Sequence, residues 1–236
     1  DITLTKTSKK GFEDIITLHA CIEEPTDPNL IGTEVIIGGV TDDDILKAKN
    51  LFLRFSGEST IESTRVGDIV EKTGPIGKIY INGVKVAEEE NFLFSYNITQ
   101  LTAAIKKSLN RERSNVGRTA YTESIKKILL SSQSSEVAKI LAADLQNINY
   151  GTQHDELNWI DVQEHAVKIL NKSEKVVFVS SSDIIAHPNM IEEAQQSGHQ
   201  IISIPENLKE RIRGETDFSG NPIIDINQFV QNYNDS

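Results

Sequence analysis

The chain has 236 residues, 38% of them hydrophobic and 25% charged, which suits one large domain or two small ones with proper cores. It carries 24 basic and 35 acidic residues for a net charge of −11, a balance that disfavours nonspecific nucleic-acid binding yet leaves room for one local basic patch. No apolar run reaches the length of a membrane span, and the single cysteine, Cys21, allows no internal disulfide and points to a reducing compartment, the cytoplasm.

The N-terminal Asp1-Ile-Thr-Leu-Thr-Lys has a strand-like pattern without methionine or signal core, as expected of a piece cut from a longer protein. Residues 12–22 read as a strand holding Cys21 as a packing thiol. A turn-rich loop with Pro25 and Pro28 follows. Residues 32–38 read as a second strand, expected to pair antiparallel with the first. Thr41 and the triplet Asp42-Asp43-Asp44 open a helix by capping free N–H groups and matching the helix dipole, and Ile45, Ala48, Phe52 and Phe55 continue it at helical spacing. The triplet lacks the spacing and closing glutamate of a calcium loop.

After a polar linker, residues 66–70, 78–86 and 92–98 read as short strands, with a tight turn at Asn82-Gly83. Thr99 is expected to cap a helix carrying Leu101, Ala104, Ile105 and Leu109. A second helix carries Tyr121, Ile125, Ile128 and Leu129, and a third Val137, Ile140, Leu141, Leu145 and Ile148. Another runs from about Glu156 to Leu170, with Trp159 near its start. Strand 175–180, helix 187–198 and strand 200–205 form a parallel βαβ pattern, before a partly helical tail. The fold class is mixed α+β: an antiparallel sheet with covering helices, then a short parallel βαβ unit.

One stretch stands out. Asn110 to Arg118 packs three arginines and a glycine between two helical patterns. Arg111, Arg113 and Arg118 would hold phosphate or carboxylate oxygens with paired hydrogen bonds, and Gly117 would permit a positive φ that turns backbone N–H groups inward. The alternative is that these arginines pair with the chain's own acids, such as Glu112 or Glu123. Other motifs are weaker. In Gly74-Pro-Ile-Gly-Lys78 the first glycine of a phosphate loop is replaced by Lys72, and Ile79 stands where a hydroxyl is needed, so a turn is expected. Ser180-Ser-Ser-Asp183 follows an apolar strand, where capping by Ser182 or Asp183 competes with a serine site using His187. No histidine pair has zinc spacing.

The order of parts resembles the Bergerat-fold (GHKL-type) ATPases, which include gyrase-type, Hsp90-type, MutL-type and histidine-kinase ATP-binding domains. The resemblance rests on Gly32-Thr33 opening a strand and on the element order from about residue 64 to 130, similar to the transducer domain of gyrase-like members. It implies that Gly32 and Thr33 line a nucleotide site and that Arg111, Arg113 or Arg118, with Gly117, senses its phosphate. ATP and magnesium would belong only to a full-length protein, because the family's asparagine-bearing helix, Asp-x-Gly-x-Gly motif and lid are missing from this sequence. Three regions follow: an ATP-domain remnant at 1–57, a transducer-like region at 58–172, and a βαβ unit with tail at 173–236. The main expectation is a truncated ATPase that couples nucleotide state to movement and has no catalytic residue of its own. Its partners would be the missing N-terminal segment and a protein partner or second copy, with nucleic acid disfavoured. The alternative expectation is a non-catalytic module that offers the basic loop to an acidic partner or a nucleic acid.

Overall fold

The computed structural model describes residues 2–8, 14–20, 28–29, 31–32, 37–111 and 116–234. Cys21, Thr33 and Arg113 lie outside these residues, as does most of the strand expected at 32–38. The chain divides into two compact units, Asp1–Thr41 and Asp42–Ser236.

In the first unit β1 (Ile2–Ser8) pairs antiparallel with β2 (Asp14–Ala20), from Ile2 opposite Ala20 to Ser8 opposite Asp14. Among the described residues the partner of β2 is the N-terminal segment; the strand expected at 32–38 to pair with it falls mostly outside them.

The second unit opens with α1 (Asp42–Lys49), the helix expected from its acidic first turn. It stops earlier than the apolar spacing suggested. Lys85 N–H donates to the Leu51 carbonyl at 2.7 Å and Leu53 N–H to the Gly83 carbonyl at 2.8 Å, so residues 51–53 are drawn to a sheet edge before a 3-10 turn, Leu53–Phe55.

The strands β3 (Thr60–Ser63), β4 (Gly67–Val70), β5 (Gly77–Ile81), β6 (Val84–Glu89) and β7 (Ser95–Ile98) form one sheet in the order β3-β4-β7-β5-β6. Its pairs are antiparallel except β5 with β7. At the β5–β6 turn Asn82 has φ 47° and Gly83 φ 79°, the left-handed pair that a two-residue hairpin of this hand requires.

The helices α2 (Ala103–Arg111), α3 (Arg118–Ser131), α4 (Ser135–Leu145) and α5 (Ile160–Ser173) follow. The α2 cap is Thr102, not Thr99: its hydroxyl accepts from the Ile105 N–H at 3.3 Å. A 3-10 turn, Asp155–Asn158, delays the start of α5. Tyr121, Ile125, Ile128 and Leu129 of α3 are buried in one core with Ile69, Ile79, Tyr96 and Ile98 of the sheet and with Leu141 and Leu170 of α4 and α5. On the other sheet face Tyr80 is buried and donates to Glu58 at 3.0 Å, where Lys78 also reaches the same carboxylate at 3.0 Å.

Helix and sheet meet most tightly at Gly67. A Cβ there would lie 2.5 Å from the Asn97 carbonyl oxygen and 2.6 Å from Ile128 Cδ1. Gly67→Ala should lower stability by about 1–3 kcal/mol, the usual range for overpacking, in a urea titration. Truncating Ile128 as well should not restore it, because the backbone carbonyl remains in the way.

The C-terminal part contains β8 (Val176–Val179), α6 (Ser181–Ala186), α7 (Pro188–Gln196), β9 (Gln200–Ser203), α8 (Glu206–Ile212) and α9 (Ile226–Asn234). β8 and β9 are parallel, as the βαβ pattern requires. On its other side β8 receives residues 224–225: Phe178 N–H donates to the Ile224 carbonyl at 2.9 Å and Phe178 bridges Asp225 in parallel. The fold is therefore mixed α+β, a mostly antiparallel sheet with helices plus a small parallel sheet.

Candidate functional site

The basic stretch separates into parts with different fates. Arg111 closes α2, and Arg118 is the first residue of α3 rather than a loop residue. Gly117 precedes it as the helix N-cap, with φ −61° and ψ 142°. The positive φ expected at Gly117 is absent, because the chain enters α3 from an ordinary extended conformation.

Arg118 is held at home. Its guanidinium lies 3.2 Å from Glu89 Oε2 and 2.5 Å from Asp155 Oδ2, and it stacks over the Phe92 ring at 5.0 Å. Asn91 Nδ2 donates to the other Asp155 oxygen at 2.9 Å. The Tyr121 hydroxyl donates to Glu89 Oε1. The bond to Asp155 raises the Arg118 pKa, and burial raises that of Tyr121. This cluster ties the start of α3 to the β6–β7 connection and to the 3-10 turn before α5.

Beside this clamp is a fully buried carboxylate. Glu156 accepts from Leu93 N–H at 2.9 and 3.0 Å, from Phe94 N–H at 3.3 Å and from the Tyr96 hydroxyl at 2.9 Å. Burial raises its pKa above the ordinary 4.5, in spite of these donors.

Other cations of the same region are not neutralised. Lys106 and Lys107 on α2, Arg65 in the β3–β4 turn and Lys127 on α3 are exposed. Among the described residues none of them has a carboxylate within ion-pair distance, whereas Lys78, Lys85, Lys126, Lys139, Lys168 and Arg211 all do. The three elements meet around Gly67. Gln100 N–H donates to the Val66 carbonyl at 3.3 Å, which holds the turn against the entry to α2, and Gly67 abuts Ile128 of α3. Glu123 is the exposed acid on the same stretch of α3. Exposed unpaired cations are thus carried by three elements that meet around Gly67, while Arg118 is spent on structure.

The remaining candidates resolve as follows. Gly32 is exposed with φ 132° and has nothing within 4 Å of where a Cβ would stand. Gly74 sits in an open turn before β5. Ser180 and Asp183 form a reciprocal capping box at α6, and Lys209 Nζ meets Asp183 Oδ1 at 2.5 Å. Burial alone would raise the Asp183 carboxyl; Lys209 and the Ser180 donors outweigh it and hold it below the usual value. That carboxylate is committed, which removes the acid that would orient His187, and His187 instead begins α7.

Imidazoles are likewise engaged in structure. His154 Nδ1 lies 3.0 Å from Asp144 Oδ1, and His165 Nε2 is 2.8 Å from the Ser132 carbonyl, with burial lowering its pKa. Asp161 pairs with Lys126 at 2.8 Å. No group of three or more possible metal ligands occurs among the described residues. No helix among them is long and apolar enough to cross a membrane.

Sequence reasoning gave no hint of a polar cleft of about 350 Å³ lined by Arg213, Glu215, Asp225, Asn227 and Gln231. Its charges are in use: Arg213 meets Glu210 at 2.6 Å, Glu215 meets Lys168 at 3.3 Å, and Asp225 caps the Gln228 N–H at 2.8 Å.

Comparison with known proteins corrects the ATPase resemblance. Residues 43–135 match the model of a family described as the Mycoplasma pneumoniae MPN635 N-terminal domain. The matched segment holds α1, the five-stranded sheet, α2 and α3. An uncharacterized protein of Mycoplasma pneumoniae is 38% identical over 126 residues, covering 52% of this chain and 50% of that protein. A second uncharacterized protein of the same organism is 31% identical over 153 residues, covering 64% of this chain and 43% of its own length. The chain thus spans half or less of each of these relatives. These matches give no support to the Bergerat-fold, ATP-binding or histidine-kinase-like assignment, which a glycine-threonine dipeptide and element order were too weak to carry.

Proposed function

We propose that this chain is a non-catalytic binding module that takes an acidic protein segment on the basic face of α2, the β3–β4 turn and α3. The observation that supports it is the contrast in pairing: Arg65, Lys106, Lys107 and Lys127 lack carboxylate partners among the described residues, while most other cations have them. Holding unneutralised cations together costs self-repulsion, which a bound anionic partner relieves. Arg118 serves as the clamp that fixes α3. A protein acid suits this face better than nucleic acid, because the net charge of −11 repels a long polyanion beyond the patch. A reducing compartment, the cytoplasm, fits a chain with one cysteine.

The test is a titration of the full chain with polyglutamate and with duplex DNA across salt. Lys106→Glu/Lys107→Glu should weaken polyglutamate binding by about tenfold or more and flatten its salt dependence, a loss of roughly 1.4 kcal/mol. Lys172→Glu, an exposed charge change on α5, should leave binding unaltered. Tighter binding of DNA would replace the acidic protein with nucleic acid as the partner, and equal loss from Lys172→Glu would reduce the effect to bulk charge.

A further inference from the structure

The helix α1 is an anomaly of a different kind, independent of the basic face. It has eight residues and buries none of them. A helix this short is not stable alone in water; it persists when a packed apolar face supports it. Yet its apolar residues are exposed, Leu46 at 58%, and they continue into an apolar surface at the sheet edge formed by Leu51, Phe52, Val84 and Phe55, the last 52% exposed. Backbone bonds from Leu53 to Gly83 and from Lys85 to Leu51 fix that continuation to the β5–β6 hairpin. A contiguous apolar surface on an otherwise strongly charged chain marks a protein contact.

The charges on α1 identify the occupant. Its first turn is Asp42-Asp43-Asp44 and its last turn carries Lys47 and Lys49. Eight residues span about 12 Å, so the acidic and basic turns stand at opposite ends with Ile45 and Leu46 between them. A second α1 laid antiparallel places each acidic turn against a basic turn, twice, and opposes the two helix dipoles favourably. That is the self-complementarity a two-fold interface requires, in which one patch serves both subunits. The internal pair of Lys47 and Asp43, at 2.5 Å, is exposed on both sides and therefore weak enough to be shared across the contact.

We infer that the chain forms a homodimer in which α1 packs antiparallel on α1 of a second copy, with Leu51, Phe52, Phe55 and Val84 widening the contact. Sedimentation equilibrium of the full chain over a wide concentration range tests it. A monomer–dimer equilibrium is expected, and Leu46→Glu should weaken it at least tenfold. A basic variant, Asp42→Lys/Asp43→Lys/Asp44→Lys, and an acidic one, Lys47→Glu/Lys49→Glu, should each self-associate at least tenfold more weakly than the parent. Their equimolar mixture should form a heterodimer at least as tight as the parental dimer. The positions are exposed, but the end charges also support α1 through its dipole, so Leu46→Glu, which leaves them in place, is the variant whose circular dichroism should match the parent. A chain monomeric at every concentration overturns the inference. So does a dimer indifferent to Leu46→Glu, or a mixture that fails to associate.

Discussion

Glu156→Ala should lower the unfolding free energy by about 3–5 kcal/mol, the cost of stripping a buried charged acceptor from its donors. The carboxylate is fully buried and satisfies the Leu93 and Phe94 N–H groups and the Tyr96 hydroxyl. Alanine leaves all three without an acceptor in a place that water does not reach. Glu156→Gln keeps one oxygen but presents an NH₂ where the second accepted from Leu93, so a smaller loss of about 1–3 kcal/mol is expected. Urea midpoints with unchanged slopes would measure both; a Gln variant as damaging as Ala would show that charge, not hydrogen bonding, holds the loop.

The acid also has a pH signature. Its native pKa is raised above 4.5, so the native state holds its proton more tightly than the unfolded chain. Its contribution is therefore full below about 4.5 and declines as pH rises through the native value. Glu156→Gln should remove that slope.

Asp183→Ala should cost about as much, roughly 3–5 kcal/mol, for two reasons acting together. It removes the capping box at α6 and leaves the Lys209 ammonium buried without a counter-charge. Lys209→Met should be milder, because the Asp183 carboxylate retains the Ser180 N–H at 2.8 Å and the Ser180 hydroxyl at 2.9 Å. Equal losses from the two substitutions would contradict this ordering. The pH sign is opposite to that of Glu156. The native Asp183 pKa is depressed, so its contribution is present above 3.8 and is lost as pH falls through the native value. Loss of the decline above pH 4.5 in Glu156→Gln, and loss of the rise below pH 3.8 in Asp183→Ala, would support both assignments.

Local order was the legible part of this protein. The α3 pattern of Tyr121, Ile125, Ile128 and Leu129 reads directly as a buried helical stripe, and all four are in the core. Asn82-Gly83 reads as a tight hairpin turn for the same local reason: both residues tolerate left-handed backbone. Long-range pairing was not legible. Nothing near β5 indicates that its neighbour is a parallel β7, since pairing partners are set by global packing. Phe52 and Phe55 keep helical spacing but leave the helix, because backbone bonds to residues 83 and 85 compete successfully for that segment.

The candidate site divides along the same line. That the stretch from Asn110 to Arg118 is basic is plain from the sequence, whereas the acids that neutralise Arg118 lie on other elements. Glu156 looked like an ordinary helix-start acid. Its partners, Leu93 and Tyr96, are some sixty positions away, and no periodicity reports them.

The position of β8 bears on how the chain is made. Both neighbours of that strand, β9 and residues 224–225, are translated after it. During synthesis β8 therefore emerges from the ribosome as an apolar ribbon with both edges unsatisfied; β9 can cover one edge once residue 203 appears, and the other waits for residues 224–225. A nascent chain halted before residue 224 would keep one of those edges bare. The growing polypeptide should need chaperone cover over that interval, and ribosome-bound intermediates of increasing length should lose their protease sensitivity at β8 only when residue 225 has cleared the exit tunnel.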